Sequence, residues 1–162
     1  MKRKIIGALA MGAMLLAQPA LVAAEDHGQR TLIEDRPAEK GFHRIFNGKD
    51  LAGWEGNAKL WSVREGFITG QTTPDNPAKG NTFLIWTNGT VADFELRCQF
   101  KLTPGDAKGF ANSGIQYRSK VFDAANWGVG GYQADMEAGP NYTGILYEER
   151  GRGILALRGE TG

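Results

Sequence analysis

The segment Phe94-Glu95-Leu96-Arg97-Cys98-Gln99-Phe100-Lys101-Leu102 alternates apolar and polar residues without a break over nine positions. Successive side chains leave a β-strand on opposite faces, so this pattern predicts a strand with one buried face. It excludes an amphipathic helix, whose apolar residues recur every three or four positions. Trp61-Ser62-Val63 and Phe67-Ile68-Thr69 flank Arg64-Glu65-Gly66, a spacing that suits a hairpin with a short glycine turn. Thr82 to Thr87, Ile115 to Ser119, Tyr132 to Glu137, Ile145 to Glu148 and Ile154 to Leu157 follow at the spacing of antiparallel sheets. The 162 residues suffice for one core, and 23 glycines break the runs before a helical period can build up. The expected fold class is therefore all-β, a sandwich or barrel.

The N-terminus obeys other rules. Lys2-Arg3-Lys4, an apolar run from Ile5 to Ala17, and Val22-Ala23-Ala24 form the three parts of a secretory signal, with cleavage expected before Glu25. The run has 13 residues, fewer than the ~20 that span a bilayer, so stable membrane insertion after cleavage is not expected. Residues 25–41 read as a polar lead-in, residues 42–162 as the β domain, and the exported chain as periplasmic or secreted. Without Lys2, Arg3 and Lys4 the 19 basic residues fall to 16 against 18 acidic ones, a poor balance for binding nucleic acid. Cys98 is the only cysteine, which excludes an intrachain disulfide and a thiolate zinc cluster. Arg158 to Gly162 follow the last strand candidate without a closing element, so the domain is expected to be C-terminally incomplete.

Polar side chains gather on two of the strand candidates. Alternation puts Gln116 and Arg118 on one face of their strand, opposite Ile115 and Tyr117, and puts Gln133, Asp135 and Glu137 on one face of theirs. Residues two apart on a strand lie ~7 Å apart, near enough for two to address one sugar ring or one divalent ion. The same row is also what the solvated face of any half-exposed sheet shows. Asn112-Ser113-Gly114 precede one strand, and Gly128, Gly130 and Gly131 precede the other, with Trp127, Tyr132 and Tyr142 nearby. Sugars favour such settings, because their C–H faces lie on aromatic rings while their hydroxyls bond to Asn, Asp and Arg. His27 and His43 are the only histidines and form no metal-ligand pair, so any metal here would be an oxygen-liganded one.

An ordered set of segments begins with Phe46-Asn47-Gly48-Lys49-Asp50-Leu51 with Gly53-Trp54, Trp61-Ser62-Val63 with Gly66, and Phe83-Leu84-Ile85-Trp86-Thr87. Asp93 to Arg97, Asn112 to Ile115, Tyr117-Arg118, Gly131-Tyr132, Thr143-Gly144 and Leu146-Tyr147 continue the set. In this set the chain resembles the 3-keto-disaccharide hydrolase domain family. The resemblance implies a concanavalin-like jelly-roll β-sandwich that normally extends several strands further. It also implies a glycoside substrate already oxidised to a ketone at C3 of a sugar. Where many members carry Gly-Tyr-Glu followed two places later by Gln, this chain has Gly131-Tyr132-Gln133-Ala134-Asp135, so the acid and amide are exchanged along the strand.

Cleavage of such a substrate needs a base for the C2 proton, a group to stabilise the enolate and a donor for the leaving group. Asp135 or Glu137 is expected as the base, with Arg118, or a divalent metal held by Asp135 and Glu137, as the enolate stabiliser. Gln116, Gln133 and Tyr142 are expected to position the substrate, with Asn112, Trp127 and Glu148 as further contacts. Three rivals remain. A retaining glycosidase needs two carboxyls, and Gln133 stands where the first would be. A non-catalytic carbohydrate-binding module needs only aromatic platforms, and an inactive fragment would expose an unpaired sheet edge.

Overall fold

The structure, a computed structural model, describes residues 8–10, 40–105 and 109–161. Of the expected leader only Ala8–Ala10 lies within them; the cleavage site and nearly all of the lead-in lie outside the described residues. Among the described residues the elements are nine strands and one 3-10 turn, Ala124–Asn126, so the all-β expectation holds. None of them is a helix long and apolar enough to cross a membrane.

Seven strands form one sheet. In chain order they are β1 (Ala8–Ala10), β2 (Trp54–Glu55), β5 (Phe83–Trp86), β6 (Asn112–Asp123), β7 (Gly128–Glu137), β8 (Leu146–Glu149) and β9 (Gly153–Ala156). They lie side by side in the order β2-β5-β1-β6-β7-β8-β9, antiparallel at every contact. The remaining pair, β3 (Trp61–Arg64) and β4 (Phe67–Gly70), is a hairpin whose turn residues Glu65 and Gly66 both have positive φ, 51° and 77°. That geometry matches the right-handed twist of the flanking strands.

Each face of the sheet has its own apolar cluster. Leu84 points to the hairpin and packs with Leu60 and Trp61, joined by Leu51, Trp54 and Ile68. Phe83 and Ile85 point the other way and pack with Val129 and Trp127. Register carries that second face across the sheet: Phe83 pairs with Ala10, Ala10 with Gly114 and Gly114 with Asp135. The next row runs from Ile85 through Ala8 to Gln116, Gln133 and Tyr147. The polar row thus shares a face with an apolar cluster instead of lying on a wholly solvated one.

Two expectations need correction. The most regular alternation in the sequence forms no strand: residues 94–102 are irregular, with Phe94, Leu96 and Phe100 exposed at 44%, 38% and 54% and Cys98 also exposed. The place beside β5 and β6 is held by β1, so the pattern has no ladder to join. The residues expected in loops before the two polar strands instead lie inside them: Asn112-Ser113-Gly114 open β6, and Gly128, Gly130 and Gly131 lie in β7, which starts at Gly128.

Candidate functional site

Four polar side chains are joined in a line across β6 and β7. Ser119 Oγ donates to Gln116 Oε1 at 3.2 Å, Gln116 Nε2 donates to Gln133 Oε1 at 3.2 Å, and Gln133 Nε2 donates to Asp135 Oδ1 at 3.2 Å. Each amide accepts at one end and donates at the other, so every dipole points the same way and the line terminates on the carboxylate. Asn112 Nδ2 and the Met136 backbone N–H donate to the same oxygen, at 3.2 and 3.0 Å. Asp135 Oδ1 therefore accepts from three donors.

Gln116 is fully buried, and Gln133, Asp135 and Glu137 are buried as well. Desolvation is the largest influence on Asp135 and holds its carboxyl above the ordinary carboxylate range. The Met136 N–H, Asn112 and Gln133 pull it down, and the charge of Glu137 pushes it up again. Gly114 makes room for this arrangement, because a Cβ there would sit 2.6 Å from Gln133 Cγ and Cδ. Only glycine lets the Gln133 side chain lie across β6 toward Asp135.

Glu137 lies on the same face but is engaged differently. Its Oε2 accepts from the backbone N–H groups of Asn141 and Tyr142, at 3.0 and 2.7 Å, and so anchors the loop that leads to β8. Tyr142 contributes to this through its backbone, and its side chain is exposed. The donors on Asp135 Oδ1 and Glu137 Oε2 leave one oxygen of each for a cation. Among the described residues no third His, Cys, Asp or Glu joins them. Mg²⁺ is commonly held through one or two carboxylates with water completing its shell, so two single-oxygen contacts are compatible with such an ion, whereas Ca²⁺ takes more protein oxygens.

The other expected residues divide. Trp127, in a left-handed conformation at the end of the 3-10 turn, packs on Phe83, Ile85 and Val129 and lines a hollow of about 380 Å³ with Trp86, Glu55, Asn88 and Thr90. Arg118 departs from the alternation that paired it with Gln116. It has φ 50° at a register shift in the β6–β7 ladder, and the shift delivers Ser119 to Gln116 in its place. Arg118 instead reaches Asp93 at 3.6 Å and lines a shallow hollow with Tyr117 and Phe94. Glu148 pairs with Tyr132, on the face opposite Asp135, and binds Arg152 at 2.6 Å. Sequence reasoning missed Ser119 and Tyr147. The bulge hid the first; the second could be found by alternation, since Tyr147 lies opposite Gln133 in the ladder.

The family model described as a 3-keto-alpha-glucoside-1,2-lyase-like domain matches residues 41–160. The chain belongs to this family. The match spans all the strands from β2 to β9, and with them the line from Ser119 to Asp135. No curated protein and no solved structure matches the chain. In this lyase-like domain the acid and amide of β7 are in direct contact, Gln133 donating to Asp135.

Proposed function

We propose that this protein cleaves glycosides oxidised at C3, with Asp135 as the base. The C3 ketone acidifies the neighbouring C2–H. Asp135 takes that proton, leaving a C2=C3 enolate; its collapse restores the C3 ketone, forms the C1=C2 bond and breaks the C1–O bond, and the aglycone oxygen takes the proton back from the Asp135 carboxyl as it leaves. Water then adds across the double bond, so the sum of the two steps is hydrolysis.

The observation that carries this reading is the desolvated Asp135 carboxylate with its raised pKa, all three of its donors on Oδ1. A carboxylate in water is too weak a base for a carbon acid, and burial strengthens it. Asn112 and Gln133 each give Asp135 one amide hydrogen; each has a second, which can support charge on the enolate oxygen. Family membership supports the oxidised sugar, and the Lys2-Arg3-Lys4 start with the Val22-Ala23-Ala24 end supports export. Asp135→Asn is expected to slow release of the aglycone from a 3-keto-glucoside by ~10²–10⁴-fold. An unchanged rate would sink the assignment, and the same assay with a chelator decides whether a metal takes part.

A second reading, a sugar-binding module without catalysis, is favoured by the hollow between Trp86 and Trp127, where Asn88 and Thr90 add polar groups beside the rings. It is distinguished by turnover. Any product excludes it, whereas glycan binding that Trp127→Ala abolishes, with no product from the parent chain, supports it.

A further inference from the structure

β5 and β6 are both antiparallel to β1, so they run parallel to each other with one strand between them. The chain that connects β5 to β6 contains Phe94–Leu102. A strand that leaves β5 and returns to β6 as a meander must run antiparallel to both, which is the direction of β1. Seven residues, 87–93, precede it and nine, 103–111, follow it, enough for a reversal at each end. The described β1 pairing engages three residues, Gly114–Gln116, of the twelve in β6, whereas the alternating segment is nine residues long. The segment between the flanking strands is thus longer, strictly alternating and correctly directed, and its apolar residues from Phe94 to Phe100 are exposed.

We propose that Ala8–Ala10 holds the place of Phe94–Leu102, and that withdrawal of the leader lets Phe94–Leu102 become the central strand between β5 and β6. The apolar row Leu96, Cys98 and Phe100 then faces the side of Leu84, where Leu60 and Trp61 already pack. Parity sends Glu95, Arg97, Gln99 and Lys101 to the side of Gln116 and Asp135. The exchange gives up the position of Arg97 4.2 Å over the Phe42 ring. It supplies cations to the face from which the bulge turns Arg118 away. That last consequence rests on the function proposed above, and the strand exchange does not.

Cys98 reports the exchange without any activity measurement. In the full chain, Leu9→Pro removes a ladder donor from the β1 position, where proline is not tolerated in a central strand. Maleimide labelling of Cys98, followed by mass spectrometry, is expected to slow at least about tenfold in Leu9→Pro, and backbone deuterium uptake of residues 94–102 to fall with it. Adding Phe100→Pro to that variant is expected to restore fast labelling. Either of two results overturns the proposal. One is Cys98 labelled as fast in a cooperatively melting Leu9→Pro chain as in the parent. The other is a Leu9→Pro chain that does not fold, because then no second segment fits the place of β1.

Discussion

Asp135 carries opposite consequences for stability and for chemistry. Its carboxyl titrates above the unfolded value of 3.8, chiefly because burial disfavours the charge, so the folded chain holds the proton more tightly than the unfolded one. Stability therefore falls as pH rises from 3.8 through the folded pKa, and above that value the buried charge is a constant penalty. Asp135→Asn keeps an oxygen for the three donors and removes the charge. The variant is expected to show a higher urea midpoint than the parent at pH 7, the difference closing as pH falls to the unfolded carboxylate range. Equal midpoints at both pH values would mean that the acid is not held out of water. A residue that stabilises the fold when replaced and stops the reaction is the usual signature of a group kept for function. Glu148 shows the reverse: Arg152 holds its carboxyl below the ordinary range, on the opposite face, and it anchors a turn.

At the scale of elements, β6 and β7 make the site, and two departures from regularity shape it. The bulge at Arg118 exchanges an exposed cation for Ser119, which starts the line of hydrogen bonds. Gly114 leaves the gap that Gln133 fills. Gly114→Ala is expected to cost about 1–3 kcal/mol in denaturant melts and to reduce turnover, since Gln133 must leave Asp135 to relieve the clash. A variant as stable and active as the parent would show that Gln133 has another place to go. The strands themselves were legible: the hairpin at Glu65-Gly66, and β5 through β9, lie within a few residues of their expected positions. Alternation and turn residues act over two to five positions, and a local signal suffices for a local element. The bulge was not legible, because nothing in Tyr117-Arg118-Ser119 marks where the ladder will slip.

At the scale of the whole molecule, the sheet keeps its two faces apart. Leu84 is fully buried beneath the hairpin, and Leu84→Ala is expected to cost ~2–5 kcal/mol. Leu157→Ala, at a residue 56% exposed, is expected to change stability by under about 0.5 kcal/mol. Comparable losses at both positions, read from urea midpoints, would contradict the layering. From the sequence alone came the all-β class, most of the strands, the family and the side-chain row that includes Asp135. Each depends on residue order or on periods of two, which the linear chain carries in full. Only the tertiary structure decided which strand lies beside which, that Asp135 and not Glu137 is joined to the amides, and that Arg118 points away. Those outcomes depend on pairings between residues tens of positions apart. There, a slip of one register reverses every side chain, and a three-residue segment from the N-terminus can take a place that nine residues of perfect alternation were suited to fill.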